Sequence, residues 1–289
     1  MKCLECGNKK FTVKDVEETV EFKGEEITVA APAYVCDKCE FVLTDTEQMN
    51  IFRRAVADKY RENKGLLKSE EIKAYRKKLN MSQAEFAEYL RVGIASIKRW
   101  ESYFVQDESQ DDHIRLKCDK EYSELVQLYA YGPDINTGNR KFDLDLIQSL
   151  ILMLIPVYKS PLFINKALFY IDFLHYYKYS VGVTGSMYCS LERGPCPDKF
   201  KTIFKIMEDK GYLTKNKGPE ITAVREIDSS IFKDTHKEVI DQIIKIGAEH
   251  GENFLLKLSH EEQAYKKNPL SWKPISYKYA NKLKITKHL

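Results

Sequence analysis

Four of the seven cysteines stand as two Cys-x-x-Cys pairs, Cys3/Cys6 and Cys36/Cys39. Two thiolates two residues apart can turn on one tight knuckle and reach the same metal at about 2.3 Å. A second pair completes a closed tetrahedral Zn²⁺ site with no open position for catalysis. In a reducing compartment this spacing points to metal before disulfide, and a redox dithiol would need only one pair. One structural Zn²⁺ per chain is therefore expected, held by Cys3, Cys6, Cys36 and Cys39. Gly7 suits the turn that a knuckle needs. The 29 residues between the pairs read as a hairpin, Phe11 to Phe22, a turn around Lys23-Gly24, then Ile27 to Val35. Cys118, Cys189 and Cys196 have no such partners and read as small core or surface residues.

The second chemistry is phosphate binding. Residues 61–100 carry ten Lys/Arg against five Asp/Glu, although the whole chain is only +3. Such a local excess is the electrostatic footprint of nucleic-acid binding. The elements that would position it are short helices. Thr44-Asp45-Thr46 offers N-caps for a helix with Met49, Phe52, Val56 and Tyr60 at helical spacing, ending near Gly65. Ser69 is placed to cap a second helix, with Glu70 and Glu71 in its first turn and Arg76, Lys77 and Lys78 in its last. Ser82-Gln83-Ala84-Glu85 is a capping box for a helix to Leu90, and Gly93 opens a last one. Ile72, Tyr75 and Leu79, then Phe86, Ala87 and Leu90, then Ile97 and Trp100 would pack inward. Ser96, Lys98 and Arg99 would face outward. Gln83, at a helix start, could fix a phosphate, and Arg99 could bridge guanine O6 and N7 in a major groove. The plain alternative is a small helical bundle with a solvated basic face.

The string Gly65-Leu66-Leu67-x-Ser69-Glu70-Glu71-Ile72-x-x-x-Arg76-Lys77-Lys78-Leu79, leading to Met81-Ser82-Gln83 and Ile97-Lys98-Arg99-Trp100-Glu101, resembles MqsA-type antitoxins. Those join a YgiT-type zinc ribbon to a Cro/repressor-like domain, and the resemblance covers about residues 1–104. It implies a structural zinc, a dimer, and a third helix that reads operator bases, with Gln83, Ser96, Lys98 and Arg99 as DNA-contact residues. Two positions depart from the family pattern. Ala95 stands where a polar base-reading residue is usual, and Ser102-Tyr103-Phe104 where a glycine commonly follows Trp-Glu.

Past residue 104 the character changes twice. Val105 to Glu124 carries seven acidic and three basic residues and no apolar period before Ile114, so it reads as a connection; Gly132 to Asn139 is a turn-rich break. From Phe142 the chain is strongly apolar. One buried helix over Leu144 to Leu154 is expected to close before Pro156, a second runs from Phe163 to Leu174, and others are expected at 200–207, 236–249 and 252–266. Short strands are expected near 182–191 and as a hairpin around Lys217-Gly218-Pro219. Asn165-Lys166-x-Leu168-Phe169-Tyr170-x-Asp172-Phe173, Thr184-Gly185-x-x-Tyr188, Arg193-Gly194-Pro195-Cys196-Pro197, Leu258-Ser259-His260-Glu261 and Tyr277-x-Tyr279-Ala280-x-x-Leu283 resemble the Panacea (SocA-like) domain. Ala264-Tyr265 departs from it where a tryptophan is common. The resemblance implies a domain that neutralises a cognate toxin, but the sequence assigns no toxin-contact residue.

An enzyme is the reading to weigh against this. Asp172 and His175 lie three apart on one helix and His260-Glu261 is adjacent, yet no further ligand, phosphate-cradling loop or nucleophile elbow accompanies them. Asp172 reads as a buried polar anchor, His260 as a helix-start residue, and no catalytic residue is assigned. With 43% hydrophobic and 31% charged residues the composition is that of a globular chain. Its longest apolar stretch, Leu150 to Tyr158, is half a bilayer span. No secretory signal is expected at the N-terminus. The expected architecture is multidomain and mainly α: an N-terminal β zinc ribbon (1–43), an all-α helix-turn-helix domain with a leading helix (44–104), a linker region (105–140) and a mostly helical α+β Panacea domain (141–289). The expected function is a cytoplasmic, homodimeric antitoxin that represses its own operon on double-stranded DNA. A ligand- or partner-sensing transcription factor and a hydrolase or nuclease are the rivals.

Overall fold

The structure, a computed structural model, describes residues 1–226, 228–268 and 271–289, the side chains of Ser271 and Trp272 excepted. The chain forms two compact units, Met1–Lys120 and Glu121–Leu289. In the first, β1 (Phe11–Phe22) and β2 (Glu25–Cys36) pair antiparallel from Phe11↔Cys36 to Phe22↔Glu25. Lys23 and Gly24 form the whole turn, both at positive φ (52° and 82°), the backbone that matches strand twist in a two-residue hairpin. β3 (Val42–Leu43) lies on the other edge of β2.

Five helices follow. α1 (Thr46–Lys64) opens on Asp45, which accepts from the Gln48 amide while Gln48 returns the bond, and closes on Gly65 at φ 67°. α2 (Ser69–Lys78) is not capped by Ser69, as its type suggested. Ser69 is the first helical residue, and both its amide and its hydroxyl donate to the Asp58 carboxylate of α1 at 2.8 Å. A neighbouring helix supplies the cap, a partner that local sequence cannot show. α3 (Gln83–Leu90) carries the Ser82/Glu85 capping box, and α4 (Ile94–Trp100) starts after Gly93. Leu67, Ile72, Phe86, Ala87, Leu90, Ile97 and Trp100 make the core, while Leu79 stays on the surface.

The linker region expected at 105–140 holds α5 (Glu108–Cys118) and the whole of α6 (Lys120–Ala130). Ile114 of α5 is buried in the helix-turn-helix core. What fixes this stretch is chiefly polar. The Asp111 carboxylate accepts from the Leu67 amide, from Gln106 and from Arg115. An acidic sequence without apolar period can still be ordered when its carboxylates are bonded inside.

The second unit is built on α7 (Leu144–Tyr158) and α8 (Pro161–Tyr179). α7 runs through Pro156 rather than closing before it, because a proline in the last turn forfeits only one backbone bond and Lys159 then ends the helix at φ 50°. Around this pair stand β4 (Tyr188–Leu191), β5 (Gly194–Pro197), α9 (Phe200–Asp209), the hairpin β6 (Leu213–Lys215) and β7 (Ile221–Ala223), α10 (Asp234–His250), α11 (Asn253–Glu261), α12 (Gln263–Lys266) and β8 (Ser271–Pro274). β8 lies beside β4, giving the order β5-β4-β8. The chain ends in two 3-10 turns, Tyr277–Lys282 and Lys284–His288. No single helix among the described residues is long and apolar enough to cross a membrane. α8 buries twelve consecutive residues, Ile164 to His175, and is therefore a core helix on every face.

Candidate metal centre and nucleic-acid interface

The two knuckles are built alike. The Gly7 amide donates to the Cys3 carbonyl and the Cys3 amide to the Asn8 carbonyl; Glu40 and Cys36 repeat both bonds with Cys36 and Phe41. The left-handed residue is Gly7 (φ 71°) in one and Glu40 (φ 59°) in the other. Pairing of Phe11 with Cys36 brings the knuckles together. Cys3 and Cys39 sulfurs are 3.5 Å apart, Cys6 and Cys36 sulfurs 3.6 Å, and all four lie within 4.8 Å of one another. A tetrahedron of Zn–S bonds has edges of about 3.8 Å, so these four residues fit the ion, and they form a zinc-binding site.

Burial raises the Cys36 thiol, but the amides of Lys38 and Cys39 and the side chain of Asn8 outweigh it and bring it down to about 6. Cys39 receives the Phe41 amide, yet the neighbouring thiols Cys6, Cys3 and Cys36 push it up to about 12. Four thiolates this close need a dication to coexist, which is why metal and fold are coupled here. Asn8, absent from the expected set, is a supporting donor to the Cys36 sulfur. Cys189 and Cys196 are buried and face each other across β4 and β5, and Cys118 is half-buried.

Four residues were expected at the nucleic-acid face. Lys98 and Arg99 are exposed on α4, and Ser96 is half-buried beside them. Gln83 is half-buried, and its amide donates to Glu101 at 2.9 Å. Glu101 is buried and takes a two-pronged bond from Arg76 (2.5 and 2.9 Å), which locks the ends of α2 and α4 together. The Arg99 guanidinium lies 5.8 Å above the Phe104 ring. Thus Ser102-Tyr103-Phe104, in place of the usual glycine, turns back on α4, with the Ser102 hydroxyl and the Phe104 amide both donating to the Arg99 carbonyl.

Arg61 is the residue that sequence reading missed. Its side chain is fully buried and all five of its N–H groups are used, on Gln106, Asp58 and the carbonyls of Trp100, Ser102 and Phe104. A guanidinium there satisfies the open carbonyls at the end of α4 and opposes its dipole. Burial lowers its pKa, and Asp58 acts against that. The available signal was positional: Arg61 falls four residues after buried Ala57.

In the second unit the quoted motifs converge. Asp172, fully buried, accepts from the amides of Val183 and Thr184 (2.7 and 2.8 Å), the Thr184 hydroxyl (2.6 Å) and the Tyr188 hydroxyl (2.7 Å). Burial raises its pKa against those four donors. Gly185 has φ +73°, and a Cβ there would stand 2.2 Å from the Lys141 carbonyl oxygen. Lys166, 1% exposed, donates to the Pro195 carbonyl at 2.6 Å, and burial brings it down to about 8. A Cβ on Gly194 would meet Ser259 Oγ at 2.9 Å and Lys166 Cε at 3.1 Å. Tyr277 stacks on Phe173 with centroids 4.2 Å apart and donates to the Ser186 carbonyl.

Residues 1–116 match the family described as the antitoxin component of bacterial toxin–antitoxin systems, MqsA. Residues 164–266 match the family described as antitoxin SocA-like, Panacea domain. The chain thus joins two segments that each match an antitoxin family. No curated protein matches it.

Matches to two antitoxin families suggest a regulator rather than an enzyme, and the chemistry of the Panacea segment agrees. Its motif residues hold one another: Asp172 anchors the loop through Thr184 to Tyr188, and Lys166, Gly194, Pro195 and Ser259 close-pack. His175 Nδ1 meets the Val181 carbonyl and not Asp172. His260 belongs to the last turn of α11 rather than a helix start, since Glu262 in extended backbone breaks the helix before α12. Among the tyrosines near the end of α8, Tyr176 packs on Tyr277, Tyr177 is exposed, and Tyr179 is bonded to Glu238.

Proposed function

We propose that this chain is the antitoxin of a type II toxin–antitoxin pair. The Panacea domain, residues 141–289, binds and neutralises a cognate protein toxin. The ribbon (1–43) and helix-turn-helix (44–104) domains bring a homodimer to double-stranded operator DNA in the cytoplasm and repress the operon. The observation that carries the DNA reading is α4: an exposed basic face with Lys98 and Arg99, on a helix clamped at its far end by Arg61 and Glu101. A helix held this way can enter a major groove without reordering. Arg99 would read a guanine, Ser96 and Lys98 flank it, and Gln83 retains one amide hydrogen for a phosphate beside its bond to Glu101. Zinc is structural in this scheme.

The test is two-part. Co-expression with the neighbouring reading frame should rescue growth from its toxicity, and residues 121–289 should rescue where the first unit, residues 1–120, does not. Arg99→Ala should cost about 1–3 kcal/mol of operator affinity and relax the preference at one base pair. Rescue by residues 1–120 alone, or an unchanged operator preference in Arg99→Ala, overturns the corresponding half.

A further inference from the structure

The positive charge of this chain is not concentrated only around α4. Residues 257–289 hold eight lysines and two glutamates, enough to leave everything before them net negative in a chain of +3. Both glutamates are used internally. Glu262 is buried and accepts from Tyr170 and from the Lys284 amide, and Glu261 pairs with Lys284. Lys257, Lys266, Lys267, Lys278, Lys282 and Lys287 are exposed, and none of these six is in an ion pair among the described residues, although Lys266 lies near enough to Glu261 to help lower its pKa. They sit on α11, at the end of α12 and on the two C-terminal turns. α12 packs on the turn 277–282 and on α11, and α11 on the turn 284–288, so the elements that carry the lysines are neighbours in the fold.

We infer that this end of the Panacea unit is a second polyanion site, one that binds the phosphate backbone of duplex DNA. The inference goes beyond the reading helix and does not need it. A protein partner would look for an exposed apolar anchor, and among the described residues of this stretch Leu289 is the one exposed large hydrophobic side chain. Phosphate binding needs none. The positive side chains are all lysines, point charges on flexible stems, without the guanidinium forks that read base edges. The site should therefore add affinity to any sequence and specificity to none.

The probe is a random-sequence duplex, titrated against the zinc-loaded full chain at several salt concentrations. Replacing Lys266, Lys267, Lys278 and Lys282 with Gln should weaken binding about tenfold or more at low salt, and flatten the log–log salt slope by about 0.9 for each phosphate that is no longer neutralised. The same change should weaken operator DNA by a similar factor and leave its base preference intact. Arg99→Ala behaves in the opposite sense, losing preference, so failure of the reading helix and failure of this site are distinguishable. Unchanged melting of the variant shows that the fold is kept; a Lys→Arg version, which keeps the charge, should bind as the parent does. A folded Gln variant with the parent's affinity and salt slope on the random duplex overturns the inference, even where the patch retains a polyglutamate probe.

Discussion

Each unit has a charged side chain with no exposure at all, Arg61 in the first and Asp172 in the second, and the two are held differently. Arg61 in the first unit has its counter-ion, Asp58, and spends its remaining donors on the Gln106 side chain and the carbonyls of Trp100, Ser102 and Phe104. Asp172 in the second is paired with no cation among the described residues; two amides and two hydroxyls surround it, three of the four from Val183 and Thr184. The first charge fastens a helix end that must face a partner. The second folds a loop back into its own core. The first unit, with a small apolar core, relies on a metal and polar ligatures, whereas the second relies on apolar helices that need one internal anchor.

The largest effect expected is on the metal. Chelation, or Cys36→Ser, should unfold the β1–β2 hairpin outright and leave the second unit's helical signal and its amide protection in place. Loss of both units together would break the comparison. Next come the buried charges. Arg61→Met takes the cation from Asp58, which keeps only its bonds from Ser69, and strands the carbonyls ending α4; it should cost the first unit about 3–5 kcal/mol in thermal unfolding. Asp172→Ala orphans four donors and should cost the second unit about 3 kcal/mol or more. Asp172→Asn should cost only about 1 kcal/mol, because the Thr184 and Tyr188 hydroxyls can rotate to accept. Equal losses from Asn and Ala would mean that the charge itself matters.

A smaller effect concerns acid. His236 is 2% exposed with its Nδ1 unpartnered, and it faces His175, Arg140, Lys233 and Asp143. Burial lowers it from 6.5 to about 4, with His175, Arg140 and Lys233 adding to that and Asp143 opposing. Between those values the unfolded chain takes the proton and the folded one does not. Stability is full above 6.5 and falls as pH drops toward 4, by about 1–2 kcal/mol. His236→Phe should flatten that part of the second unit's pH profile; an unchanged profile would show that the imidazole is not neutral in the fold.

What the sequence determined by itself was local or covalent in spacing. Cys3/Cys6 and Cys36/Cys39 announced the metal because knuckle geometry needs only two intervening residues, and Lys23-Gly24 announced a turn that only positive φ permits. Asp45, Gly65, Ser82 and Gly93 marked helix ends through bonds made within four residues. Motifs also named the Panacea segment, without showing that Lys166, Gly194 and Ser259 meet. Tertiary structure decided whatever depended on a partner distant in the chain. Ser69 is capped from α1, Gln83 is tied to Glu101, Arg61 closes α4 from 39 residues away, and an acidic stretch without apolar period is ordered through Asp111. The reason is physical: apolar burial leaves a periodic trace along the chain, whereas a buried hydrogen bond is made by two groups whose proximity no periodicity records.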